Sequence, residues 1–104
     1  MILKKTGLLL VAVLLSSMFA LAHGSDIFNG REVYDMHCQT CHGVDGQAIE
    51  PGVPDFSLGE SLYASDVDLV RELRDGDRHL PSYRGLLTDE ELRDVVAYIR
   101  TLQR

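Results

Sequence analysis

Residues Asp35 to Gly43 read "DMHCQTCHG" and set His37, Cys38, Cys41 and His42 within six positions. The chain of 104 residues has no further cysteine and only four histidines. Such a cluster can hold a metal ion, exchange thiols as a redox disulfide, or anchor a haem through sulfur. The three chemistries ask different things of the surrounding sequence.

A structural zinc site draws a second pair of ligands from further along the chain, because neighbouring residues on one short turn close a tetrahedron poorly. Here only His23 and His79 remain to supply it, so zinc fits weakly. A thioredoxin-like Cys-x-x-Cys sits between a strand and a helix, and no stretch of this chain alternates with period two. The third chemistry uses every residue of "CQTCH". Two thiols three positions apart form thioethers to the two vinyl groups of one haem c, and the next histidine is delivered beneath the iron. Those roles fall on Cys38, Cys41 and His42, with His42 as proximal axial ligand.

The N-terminus bears on the compartment. "MILKKTGLLLVAVLLSSMFALAHG" places Lys4 and Lys5 before an apolar run from Gly7 to Ala22 that closes on Ala20-Leu21-Ala22. The run is shorter than the roughly 20 residues that span a bilayer. It predicts a signal peptide over 1–22, cleaved to leave a soluble periplasmic domain over 23–104 with no stable membrane insertion. An uncleaved anchor fits less well, and no cysteine near the cleavage site suggests a lipoprotein.

Loss of Lys4 and Lys5 takes the net charge from −6 to −8 and leaves arginine as the sole basic residue. Such a surface repels phosphate backbones, which excludes nucleic acid as a partner. The remaining 82 residues lie just above the roughly 70–80 below which a side-chain core is marginal. They include no tryptophan. A buried prosthetic group would complete that core.

Three amphipathic stretches read as helices. In "NGREVYDMHC", Asn29 is the expected N-cap, and Gly30, Val33, Tyr34 and His37 share a face. In "SDVDLVRELRDG", Ser65 caps, Gly76 terminates, and Val67, Val70 and Leu73 form a stripe widened by Leu69. In "TDEELRDVVAYIRTLQR", Thr88 and Glu91 form a capping box ahead of Leu92, Val95, Val96, Ile99 and Leu102. Arg100 and Arg104 favour its C-terminal end. The acidic residues from Asp66 to Asp94 read mostly as caps and solvated faces. Between the helices lie "GVDGQAIEPGVPDFSLGE" and "DGDRHLPSYRGLL", irregular and long for so small a domain. The expected class is all-α, three main helices with long loops.

These features together resemble a small bacterial class I c-type cytochrome over essentially the whole mature length. "GREVYDMHCQTCHG" resembles that family's opening, and "LTDEELRDVVAYIRTL" resembles its C-terminal helix. The resemblance implies the cytochrome c fold wrapped around one covalent haem. It also implies a close crossing of Gly30 on Tyr98, and a proline carbonyl, better Pro54 than Pro51, accepting from the proximal imidazole. The family's sixth ligand is a methionine before a proline. This chain reads "RHLPSY", with Leu80 in the methionine's place, and Met36 lies too near Cys38 to reach the far face. His79 is then the candidate distal ligand, with Leu80 over an open sixth position as the other outcome. Arg78 and Tyr83 could act as a distal pair but read more simply as surface or packing residues. His37 could tune the haem edge or merely complete its helix.

The implied function is one-electron transfer between larger redox proteins, a donor and an acceptor, by a carrier that is not itself an enzyme. Size and layout also resemble the denitrification cytochrome c-55X group. The alternative is a five-coordinate haem protein that binds nitric oxide or carbon monoxide, or assists cofactor assembly.

Overall fold

The computed structural model describes residues 24–104, and the expected signal peptide and His23 lie outside these. Among the described residues all regular structure is helical: α1 (Ile27–His37), α2 (Gln39–His42), a 3-10 turn (Phe56–Leu58), α3 (Asp66–Asp75) and α4 (Asp89–Arg100). None is long and apolar enough to cross a membrane. The all-α expectation of three main helices holds.

Helix α1 begins earlier than its apolar pattern suggests. Its N-cap is Asp26, whose carboxylate accepts from the Phe28 and Asn29 backbone amides. Asn29 therefore sits inside the first turn. The extra residues Ile27 and Phe28 are exposed, so no periodic apolar signal announces them. Helix α3 starts at Ser65 and stops at Gly76 as expected. Its buried face differs: Leu69 and Val70 are buried, whereas Val67 is 70% exposed. Helix α4 carries both hydrogen bonds of the Thr88–Glu91 capping box, and Leu92, Val95, Val96 and Ile99 are all buried.

Helix α1 lies across α4, and Gly30 sets how closely. A β-carbon on Gly30 would fall 2.0 Å from the Asp94 carbonyl oxygen and 3.0 Å from Tyr98 Cβ. Only a bare α-carbon permits that approach. One turn on, Tyr34 is fully buried and meets Tyr98 edge-on, ring centroids 5.4 Å apart. Its hydroxyl donates to the Gly43 carbonyl at 2.6 Å, tying α1 to the end of α2.

Asp94 is not one of the solvated acids its sequence surroundings suggest. It is 4% exposed, and its carboxylate accepts from the Asp26 amide at 2.8 Å and the Asn29 side-chain amide at 2.9 Å. The charge is tolerated because both oxygens have donors. Arg100 also exceeds its expected role at a helix end. Its guanidinium donates to the carbonyls of Leu62 and Ala64 and to the Asp66 carboxylate, which pins the segment before α3 onto α4.

Candidate functional site

Helix α1 ends at His37, and the chain turns at Cys38 into the single turn of α2, which carries Cys41 and His42. This short turn stands at the edge of a cavity of about 300 Å³, at the lower end of the roughly 300–1,000 Å³ of small-molecule and cofactor sites. Cys38 and His42 line one wall, and Leu69, Leu73, Val96 and Ile99 supply apolar surface from α3 and α4. The core described above thus stops short of closing over itself.

Cys38 and Cys41 are free thiols, Cys38 half-buried and Cys41 exposed. Burial, and secondarily the neighbouring Cys41, pushes the Cys38 thiol up to about 11. A thiol raised in this way is a poor exchanging nucleophile at neutral pH. Among the described residues no three His, Cys, Asp or Glu side chains converge tightly enough to hold a bare metal ion.

His42 is held in one orientation by two contacts. Its Nδ1 lies 3.1 Å from the Pro54 carbonyl oxygen. A carbonyl only accepts, so Nδ1 carries the proton and the Nε2 lone pair is left available. The ring also stacks on Phe56, centroids 4.3 Å apart and planes at 14°. Burial lowers the pKa of His42, partly opposed by the Pro54 hydrogen bond, and so favours the neutral imidazole that a metal requires. Phe56 carried no sequence signal beyond its apolarity, because the contact arises from the loop's path.

That path is set by glycine and aspartate. Gly46 has φ +88°, and a β-carbon there would press on Phe56 and Leu102 at 3.2 and 3.1 Å. Asp55 caps the 3-10 turn and accepts from the Ala48 and Leu58 amides and the Ser57 hydroxyl. Pro54 is thereby placed over His42.

The segment after α3 also lines the cavity. Asp77 accepts from the His79 amide at 2.7 Å and the Leu80 amide at 2.8 Å, while its own amide donates to the Leu80 carbonyl at 2.8 Å. Gly76, with φ +69°, lets this turn fold back, since a β-carbon would meet the Leu80 carbonyl oxygen at 2.7 Å. His79 and Leu80 both line the cavity, Leu80 half-buried and His79 exposed. Arg78 is exposed and does not line it. Tyr83 does line it, is buried, and donates its hydroxyl to the His37 carbonyl at 3.2 Å. The His37 ring meets Tyr83 edge-on. Glu72 and Ser61 also reach the cavity, and Ser61 holds a left-handed φ of 65°.

This donor set fits a haem. Cys38 lines a largely apolar slot with Cys41 one turn on, a neutral imidazole is fixed with one nitrogen available, and His79 is a second imidazole on the lining. The comparisons with known proteins agree. The family model described as cytochrome c oxidase, cbb3-type, subunit III matches residues 25–99. Cytochrome c6 of Thermosynechococcus vestitus is 29% identical over 89 residues, covering 83% of this chain and 79% of that one. Cytochrome c6 of Synechococcus elongatus is 28% identical over 78 residues, covering 72% and 88%. Among solved structures, the KustC0563 c-type cytochrome superposes with a TM-score of 0.63 at 26% identity, covering 72% of this chain and 98% of that one. Cytochrome c6 of the diatom Phaeodactylum tricornutum reaches 0.62 at 23% identity over 74% and 93%, a likeness of fold.

Proposed function

We propose that this chain, which belongs to the cytochrome c family, is a carrier that passes single electrons between larger redox proteins on one covalently bound haem. The observation that carries the reading is the His42–Pro54 contact beside an apolar cavity edged by Cys38. When bound, the haem supplies the one-electron iron couple.

The chain's own residues do the rest. Cys38 and Cys41 would hold the group by adding their S–H bonds across its two vinyl groups. His42 would ligate the iron through Nε2, with the Pro54 carbonyl sustaining the electron donation of the imidazole. Phe56, Leu69, Leu73, Val96 and Ile99 exclude water, which limits solvent reorganisation when charge arrives or leaves. His79 is our distal ligand, its backbone held at the cavity by Asp77. An imidazole there in place of a thioether lowers the reduction potential. Export to the periplasm rests on the N-terminal sequence, and a place in denitrification rests on sequence resemblance alone.

A second reading has its own support. Leu80 is half-buried at the cavity while His79 is exposed, and Met36, the methionine among the described residues, is 72% exposed on α1. With Leu80 over the iron the sixth position would admit small ligands such as carbon monoxide. The visible spectrum of the ferrous protein, with and without carbon monoxide, distinguishes the two. Sharp low-spin bands unchanged by the gas, and lost in His79→Ala, support the carrier with His79 ligated. A high-spin spectrum that shifts on exposure supports the open site. Colour extracted by acid acetone overturns covalent attachment.

A further inference from the structure

A second concave surface lies between α3 and α4 and shares no residue with the haem cavity. It encloses about 300 Å³, with Val67 and Val70 beside Arg71, Arg74 and Arg93. Three of the eight arginines left after Lys4 and Lys5 thus gather in one groove of a chain that is otherwise strongly acidic. Asp66, which also lines it, is already bonded to Arg100 at 2.7 Å.

The guanidiniums share no common partner. Arg71 pairs with Asp68 and Arg74 with Asp89, each at 3.1 Å, while Arg93 pairs with no carboxylate among the described residues. Both aspartates are more than half exposed. Exposed pairs of this kind contribute little, so their arginines exchange readily for a better ligand. A small oxyanion would need donors that converge on one point. Separate arginines around an apolar floor suit several carboxylates along an extended chain, with apolar side chains between them.

A second feature lies just before the groove along the chain. Arg100 bonds to the carbonyls of Leu62 and Ala64, the two residues flanking Tyr63. Tyr63 is left 94% exposed on a segment that is pinned on both sides, three residues ahead of Asp66. A held, exposed tyrosine a few residues from an arginine-lined groove has the composition of interface hot spots, because little freedom is lost on binding.

We infer that the α3–α4 groove, with Tyr63 at its approach, is a docking site for an acidic, leucine-bearing segment of a partner protein, separate from the haem cavity. The inference adds to the carrier reading without resting on it. The test is an NMR titration of the isotope-labelled haem-bearing protein with a synthetic peptide of alternating glutamate and leucine. The expected result is saturable shifts in the Arg71, Arg74 and Arg93 Nε–H signals and in amides of α3. R93Q should weaken binding by about tenfold, the scale of one charge-assisted contact. Y63S should weaken it too, and R31Q on α1 should not. Equal loss in R93Q and R31Q would reduce the effect to net charge and overturn the site. Inorganic phosphate producing the same shifts at the same concentration would overturn the peptide in favour of a small oxyanion. An unchanged visible spectrum in every variant separates these outcomes from any failure of the haem reading.

Discussion

Gly30 and Asp94 meet backbone to backbone: the α-carbon of one lies so close to the carbonyl of the other that a β-carbon would sit 2.0 Å from its oxygen. The whole α1–α4 crossing, and with it the placement of the Cys38–His42 turn, depends on that approach. Gly30→Ala forces the helices apart even though alanine is the better helix former. The expected loss is about 3 kcal/mol, the upper part of the overpacking range. A lower urea midpoint at constant slope reads it out.

Asp94 holds the start of α1 from the same turn of α4. Asp94→Ala leaves the Asp26 amide and the Asn29 side chain without their acceptor. The cost should be about 1 kcal/mol, the scale of a partly solvated hydrogen bond to a charged acceptor. Faster hydrogen exchange at the Asp26 amide, with α3 unaffected, locates the effect at that junction.

Glu72 is a carboxylate on the α3 wall of the cavity proposed to hold the haem, with no side-chain partner among the described residues. A negative charge there favours the oxidised iron. Glu72→Gln should raise the midpoint potential, whereas Glu90→Gln, an exposed acid on α4, should leave it nearly unchanged. Potentiometric titration of both variants decides the matter.

Acid stability follows from three aspartates. Backbone amides of His79 and Leu80 hold Asp77 below its ordinary value of 3.8. The Ser57 hydroxyl does the same chiefly for Asp55, and the Gln47 amide, followed by Arg104, for Asp45. A carboxyl whose pKa is depressed on folding stabilises fully above its unfolded value and loses that contribution as pH falls through the folded one. Stability should therefore be flat above the ordinary aspartate range and fall below it, with both loops involved. Asp77→Asn should soften the acid limb of a thermal-unfolding profile, read at the His79–Leu80 turn by NMR.

The helices were legible because their signals are local. The Thr88–Glu91 box, the Ser65 cap and the Gly76 stop are each decided within four residues by which side chain reaches which amide. The first cap was misplaced to Asn29 because Ile27 and Phe28 face outward and leave no apolar rhythm. The sequence places Asp94 among caps and solvated faces and Arg100 as a charge at a helix end, for a related reason. Their partners lie 65 to 68 and 34 to 38 positions away, and no local pattern registers a hydrogen bond over that separation.

By itself, then, the amino-acid order determined that Cys38, Cys41 and His42 stand on one short turn and which stretches coil, since both depend on spacing along a few turns. Only the tertiary structure decided that His42 faces Pro54 and stacks on Phe56, that Asp94 is buried, and that His79 and Leu80 line the same cavity as His42. Those arrangements depend on how closely α1 and α4 approach and on the path of two long loops. Both are settled by the packing of distant residues against one another.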